Sequence, residues 1–348
     1  MIFYNKLITW YLENKRTLPW RETTDPYAIW LSEIILQQTR VAQGLPYFQA
    51  FLTHYPTVFD LANAEEDDVL KLWQGLGYYS RARNLHHTAK TVAYELNGQF
   101  PNNYKELLKL KGIGEYTAAA IASIAFGEIV PVVDGNVFRV IARIYGITSD
   151  ISKGPTKKEF QLKAAELISQ ETPALFNQAI MDFGAIQCTP KKPLCDTCPF
   201  IVNCVAYQTN KIEQLPVKLT KTKVKSRFLN FLVFLDKEKN TYLIKRQEKD
   251  IWQKLYQFPV IDHFDKKEIN IQTTVDTIYP EISYNQIKQL NEETIIHQLS
   301  HQKLHINFWL VDCLSLPAKK EHEKIHWQQI NTFAFPIVIH NFINSLAF

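Results

Sequence analysis

Two sets of residues in this chain of 348 could do chemistry. The first is a quartet of thiols. Cys188, Cys195, Cys198 and Cys204 fall within "CTPKKPLCDTCPFIVNC", and the fifth cysteine, Cys313, stands alone. The spacing C-x6-C-x2-C-x5-C can wrap four soft sulfur ligands around one compact centre, which suits zinc or an iron–sulfur cluster. Zinc ribbons pair two C-x2-C knuckles across a longer gap. Only one such pair is present, so the spacing favours a 4Fe–4S cluster over zinc. The second set is two carboxylates. Glu33 lies in "IWLSEIIL" among apolar neighbours, where burial disfavours the anion and raises a carboxyl pKa. Asp134, in "VPVVDGNVFRV", sits where an N-cap is expected, and helix-end amides hold such a carboxylate ionised. Two carboxyls facing one cavity from unlike surroundings can divide the work of acid and anion. That division suits cleavage of a glycosidic bond through a cationic transition state. Taken singly, Asp134 could merely cap its helix, and Glu33 could share a polar helix face with Ser32, Gln37 and Gln38.

The elements that must position these groups are legible from periodicity. In residues 1–207, "YAIWLSEIILQQTRVAQ", "EEDDVLKLWQGLG", "TAAAIASIAF" and "GNVFRVIARIYG" carry helical spacing of apolar residues, punctuated by Gly and Pro. "LKLKGIGEYTAAAIASIAF" reads as a helix end, a turn through Gly112 and Gly114, and a new helix. Bare amides at such a turn can approach a phosphate. From residue 228 the pattern changes. "FLNFLVFL" and "TYLIKRQ" flank the turn-like "DKEKN" and predict a β-hairpin. "ETIIHQLS" and "LHINFWLVDCL" predict two further strands, and "FPIVIHNFINSL" a terminal helix. The fold class is therefore multidomain: an all-helical domain over 1–207, a connector over 208–227 and a mixed α/β domain over 228–348.

Composition is that of a soluble globular chain, 46% apolar and 21% charged. No apolar run approaches the roughly 20 residues of a bilayer span. The start, "MIFYNKLITWYLENKR", has no basic leader before a cleavable apolar stretch, so a cytoplasmic protein without disulfides is expected. Charge is localised. Residues 1–207 hold 20 basic and 20 acidic side chains, whereas 208–227 hold six basic and one acidic. That connector is either a solvated linker or a phosphate contact. Lys191 and Lys192, inside the cysteine loop, have the same two readings.

Taken together, "LPWR", "WLSEIILQQTRVA", "GLGYYSRARNLH", "LKGIGEYTAAAIASIAFG", "VVDGNVFRV", "FNQAIMDFGAIQC" and the cysteine loop resemble the helix-hairpin-helix DNA glycosylases that carry a 4Fe–4S cluster. More narrowly, the chain is similar to adenine DNA glycosylases of the MutY family. The resemblance implies base excision repair of adenine mispaired with 8-oxoguanine or guanine in double-stranded DNA, by a nucleoid-associated monomer. It implies that Glu33 protonates the adenine ring and that Asp134 stabilises or traps the cation, with Tyr116 and Asn136 in support. Trp20, Arg21, Leu36 and Gln178 match positions lining the pocket for the extruded base. Gln38 and Tyr78 match residues that wedge into the vacated stack. Gly112, Gly114, Lys191 and Lys192 would meet phosphates, and the four cysteines would hold the cluster that orders their loop. Endonuclease III-like relatives carry a Schiff-base lysine where this chain has Tyr116, which favours a monofunctional glycosylase over a glycosylase/lyase for oxidised pyrimidines. A non-catalytic iron–sulfur DNA-binding protein would have no need of Glu33 and Asp134.

Residues 228–348 resemble the Nudix-like domain of the same family, an α/β/α fold, and "DIWQKLYQFP" matches its Trp-containing segment. A working Nudix box needs a glycine and clustered glutamates; residues 259–283 have neither. The domain is thus expected to read DNA. The family's Phe-Ser-His loop for 8-oxoguanine is "QLSHQKLH" here, keeping Ser300 and His301 but placing Leu299 where the aromatic would be.

Overall fold

The computed structural model describes residues 2–219, 223–265 and 269–346. Residues 220–222 of the basic connector lie outside that range. The chain forms two compact units, Met1–Asn63 with Asn84–Lys221, and Ala64–Arg83 with Thr222–Phe348. Residues 64–83 thus pack with the C-terminal unit, an excursion that contiguous domains over 1–207 and 228–348 do not express.

The first unit is helical. Its elements are α1 (Ile2–Asn14), α2 (Pro26–Leu36), α3 (Val41–His54) and α4 (Val58–Asn63), and, beyond α5 (Glu66–Leu72) and the start of α6 (Ser80–Lys90), α7 (Tyr104–Leu107), α8 (Glu115–Phe126), α9 (Gly135–Tyr145), α10 (Gly154–Leu167), α11 (Pro173–Asp182) and α12 (Val205–Gln208). The sequence puts Pro at the first position of α2 and α11, where its missing N–H costs nothing. Left-handed Gly127 and Gly146 close α8 and α9. The stretch predicted as continuous helix through "YAIWLSEIILQQTRVAQ" is two helices. Gln38 adopts φ 57° and turns the chain between α2 and α3. The core gathers Leu7 and Trp10 of α1, Val137, Val140 and Ile141 of α9, and Phe176, Ala179 and Ile180 of α11. Buried Asn177 donates to Ser123 Oγ (2.9 Å) and the Val130 carbonyl (2.9 Å) and accepts from Val132 N (3.1 Å). It thereby fixes the extended segment that delivers Asp134 to α9.

In the second unit β1 (Lys225–Leu235) is central. It runs parallel to β7 (Gln302–Cys313) and antiparallel to β4 (Val260–His263). β7 also pairs antiparallel with β5 (Tyr284–Gln289) and β6 (Ile295–Gln298). A smaller sheet has the order β3 (Tyr256–Gln257), β2 (Asn240–Lys245), β8 (Glu323–His326). The hairpin predicted across "DKEKN" does not form: its two strands exist but lie in different sheets. β1 is buried over most of its length, so it takes the centre of a sheet covered on both faces rather than the edge a two-strand hairpin implies. Leu232, Phe234, Val311 and Cys313 pack with Ile271 and Val275 of α13 (Ile271–Ile278) on one face. Phe308 stacks on Phe342 of α14 (Ile337–Ser345) on the other, ring centroids 3.6 Å apart. The result is the α/β/α sandwich expected. The hairpin of β6 and β7 is closed by Leu299 N to the Gln302 carbonyl at 2.8 Å, which puts Ser300 and His301 at its exposed tip.

Candidate active site

Glu33 is 8% exposed, on a helix buried from Tyr27 to Ile35. Ile29, Leu36 and Gln37, at i−4, i+3 and i+4, share its face, and all four line one cavity of about 720 Å³. Asp134, Asn136 and Tyr116 line the same cavity, so residues spread over a hundred positions converge. Burial pushes the Glu33 carboxyl up to about 7, with the Asp134 charge adding to the rise. The Tyr116 hydroxyl, which hydrogen-bonds Glu33, and the Arg21 guanidinium oppose it. Tyr116 also lies 3.1 Å from Met181 Sδ. Its phenol is raised well above the ordinary value by burial and by the two carboxylates.

Asp134 caps α9. Its Oδ1 accepts from Asn136 N (2.9 Å) and Val137 N (2.8 Å), and its Oδ2 from Asn136 Nδ2 (2.8 Å). Burial outweighs these donors and moves its carboxyl above the ordinary value. The helix end alone therefore does not set its charge. Asn136 is oriented in turn by Arg139, whose NH2 donates to Asn136 Oδ1 at 2.8 Å. Arg139 also donates to the Gly184 and Cys188 carbonyls, both at 2.7 Å. Gly184 is what admits this approach: a Cβ there would meet Asn136 Cβ at 2.6 Å.

Trp20 (7% exposed), Arg21, Leu36, Gln38 and Gln178 line the cavity. Trp20 meets Phe48 edge-on, centroids 5.0 Å apart. Gln178 accepts from Tyr11 OH at 3.1 Å. Tyr78 belongs to the other unit. Sequence reasoning missed what anchors Arg21. Asp182, wholly buried, accepts from both Arg21 and Arg16, with Arg21 NH2 at 2.6 Å. The signal was available: an aspartate inside the apolar run "AIMDFGAI" must find cationic partners. Arg139 and Arg143, four apart in "VFRVIARIY", carried the same signal.

The cysteine loop follows a π-helical turn, Phe183–Gln187, that extends α11. All four sulfur-bearing residues line one apolar cavity with Ile144, Phe183 and Ile201. Among the described residues no three of His, Cys, Asp or Glu close on a single-ion site. Burial raises the thiols of Cys195, Cys198 and Cys204, and each feels the charge of neighbouring cysteines. Buried Arg143 pins the loop by donating to the Thr189 (2.7 Å) and Pro190 (3.1 Å) carbonyls, with NH1 3.5 Å from Cys188 Sγ. Lys191 and Lys192 remain exposed. Gly112 has φ 81° in the turn before α8, and a Cβ there would meet Asn84 Cβ at 2.7 Å; Gly114 is the N-cap of α8 and faces open space.

Residues 31–170 match the family model described as HhH-GPD superfamily base excision DNA repair protein, and residues 230–345 match that of a NUDIX domain. An adenine DNA glycosylase of Buchnera aphidicola subsp. Baizongia pistaciae is 35% identical over 337 residues, covering 95% of this chain and 92% of that protein. The chain belongs to the adenine DNA glycosylase, or MutY, family. It is a DNA glycosylase of base excision repair. The human adenine DNA glycosylase is 44% identical over 222 residues, covering 61% of this chain and 41% of its own. Among solved structures, a thermostable thymine-DNA glycosylase superposes with TM-score 0.55 at 32% identity, over 60% of this chain and 96% of that one. Endonuclease III in a non-covalent DNA complex, at 22% identity and TM-score 0.51 over 59% of this chain and 94% of that one, shares the fold.

The second unit of this MutY-family chain carries its own cavity. Tyr78, Trp252, His297, Ser300 and His301 line a space of about 480 Å³. Tyr78 is 45% exposed with φ 48°, and the Arg81 guanidinium lies 5.7 Å from its ring centre. Ser300 Oγ lies 3.2 Å from His301 Nδ1. His297 was not singled out by sequence, and Trp252 only as part of "DIWQKLYQFP". Trp252 sits at φ 61°, its ring centre 6.3 Å from that of His297.

Proposed function

We propose that the protein removes adenine mispaired with 8-oxoguanine or guanine from duplex DNA. The observation that carries this reading is the meeting of Glu33, Asp134 and Tyr116 in one cavity of about 720 Å³, enough for a flipped-out purine nucleoside. Glu33, protonated over a useful range because its carboxyl is raised to about 7, donates to the adenine ring and makes the base a better leaving group. Asp134, whose three N–H donors favour its anion, faces the cation that develops at the anomeric carbon. Asn136 fixes the Asp134 carboxylate, and Tyr116 fixes Glu33. Trp20, Arg21, Leu36 and Gln178 shape the base pocket. Gln38 supports the wedge role in this unit, and Gly112, Gly114, Lys191 and Lys192 meet the phosphate backbone. The second unit reads the base opposite adenine through Tyr78, Ser300 and His301.

The test is incubation with four duplexes: adenine opposite 8-oxoguanine, adenine opposite guanine, thymine opposite guanine, and thymine glycol opposite adenine. Only the first two should be cut after alkali. Cutting at thymine or thymine glycol alone would overturn the substrate assignment.

The same cavity supports a monofunctional reaction. Among the described residues its lining holds no lysine, and Tyr116 cannot form an imine. Product strands should therefore stay full-length until heated in alkali, and borohydride should trap little covalent complex. Strong trapping in the wild type would move the chain to the lyase class.

Four thiols around one apolar cavity, Cys204 buried and the other three half-buried, beside the Arg143 guanidinium, fit a 4Fe–4S cluster held by Cys188, Cys195, Cys198 and Cys204. Thiols raised by burial become ligating thiolates only when a cationic centre compensates them. The cluster's contribution is structural, ordering the loop that presents Lys191 and Lys192. Anaerobically purified protein should be yellow-brown with about four irons per chain. Cys198→Ser should lose iron and colour and bind DNA more weakly. Stoichiometric zinc without visible absorbance would refute the assignment.

A further inference from the structure

Residues 64–83 come from the helical half of the sequence, yet they pack in the Nudix-like unit. The segment buries Val69, Leu70 and Trp73, and polar contacts tie it at three places. At one end Asp67 accepts from Lys245 Nζ with both oxygens, at 2.6 and 2.7 Å, and from Tyr256 OH at 3.2 Å. In the middle Gln74 Oε1 accepts from Phe335 N at 3.0 Å, and Lys71 Nζ donates to the Phe333 carbonyl at 2.9 Å. At the far end Arg83 NH1 donates to the Gln253 carbonyl at 2.8 Å. Tyr78 lies between the second and third attachments, next to Tyr79, whose OH donates to the Phe335 carbonyl at 3.3 Å. Its backbone is left-handed, as are those of Gly75 and Gly77 nearby. A non-glycine residue at positive φ persists only where its surroundings hold it. Gln253 is the neighbour of Trp252, which lines the same cavity as Tyr78, Ser300 and His301. The attachments therefore fix the distance between Tyr78 and the tip of the β6–β7 hairpin.

We propose that Asp67 and Lys245 are positioning residues for lesion discrimination: their pairing holds the segment 64–83 so that Tyr78 faces Ser300 and His301 across the 480 Å³ cavity. This rests on the reading above that those three residues meet the base opposite adenine. Both partners are partly exposed, at 28% for Lys245 and 41% for Asp67. A pair of that exposure adds little to global stability, so its use is local geometry. Removal of the C-terminal domain would then do two things at once: delete the hairpin tip and release the Tyr78 segment. Truncation alone cannot tell a reader domain from a positioned wedge.

The experiment is a charge-swap cycle in the full chain, reading the ratio of single-turnover excision rates opposite 8-oxoguanine and opposite guanine. Asp67→Lys and Lys245→Asp should each lower that ratio about five-fold, with the rate opposite guanine unchanged, in line with coupling energies for paired residues. The double swap should restore it to within about two-fold of wild type. Lys245→Met serves as the neutral control where a reversal lowers the melting temperature. A wild-type ratio in both reversals, or a double swap no better than the singles, overturns the proposal. The parallel variants Tyr78→Ala and Ser300→Ala with His301→Ala separate the two failures. If these lower the ratio while the reversals do not, the lesion reading stands and the positioning role falls. If they leave it unchanged, the cavity does not read the opposite base and both fall.

Discussion

Glu33→Gln is expected to lose adenine excision by at least about 100-fold, the loss typical of removing a general acid, while binding to the mismatch survives. Glutamine fills the same volume on α2 and can still meet Tyr116, so the pocket keeps its shape; it has no proton to give. Single-turnover rates on adenine opposite 8-oxoguanine, with binding measured separately, separate the two effects. A near wild-type rate in Glu33→Gln would end the acid assignment. The wild-type rate should also fall as pH rises through about 7, where the buried carboxyl loses its proton, and that limb should be missing from the variant.

The same burial makes a stability claim with a definite sign. The folded-state carboxyl is raised from 4.5 to about 7, so between those values the native state binds more protons than the unfolded chain. Stability then falls as pH rises through that window, and above it the cost is complete, on the order of 3 kcal/mol. Glu33→Gln removes the cost. It should melt higher than wild type at pH 8 and by much less of a margin at pH 4, a trade of stability for function.

How much of this was legible in the sequence depends on the range of the interaction. The N-cap at Asp134 and the turn at Gly112 are local, and spacing found both. The four cysteines lie within one loop, so their convergence was also local. Glu33 could be placed mid-helix, yet α2 is buried nearly all round, and periodicity could not say which face looked into a cavity. What escaped were long-range pairings. Asp182 joins Arg16 and Arg21 across more than 160 residues, and Arg139 joins Asn136 to the loop carbonyls; a charged residue in an apolar run announces a partner without naming it. Pairing of β1 with β7 instead of β2 escaped for a similar reason. Turn chemistry at "DKEKN" is a local cue, whereas a strand buried on both faces answers to the whole sheet. The excursion of 64–83 into the C-terminal unit has no local signature at all, because Asp67, Gln74 and Arg83 are ordinary surface residue types.

Asp134→Asn is the second variant expected to lose about 100-fold or more in excision, because the developing cation loses its counter-charge. The asparagine keeps an acceptor for Asn136 N and Val137 N, so α9 stays capped; Asn and Asp are near equals there. Its new amide instead faces Asn136 Nδ2, where Asp134 Oδ2 now accepts at 2.8 Å. Asn136 cannot simply turn to present its oxygen, since that oxygen is taken by Arg139 NH2. Donor would meet donor, and the side chain should tilt as well as lose its charge. Asn136→Ala tests the tilt alone: the carboxylate stays but loses one of three donors, and excision should drop by about ten-fold, the cost of a mispositioned charge-assisted bond. If Asp134 were only a cap, the order would reverse. Asp134→Asn would then excise normally, and only Asp134→Ala, which removes the acceptor, would show an effect, as a stability loss of about 1 kcal/mol. Rates and melting temperatures for these three variants therefore decide between an anion that serves the reaction and one that merely starts a helix.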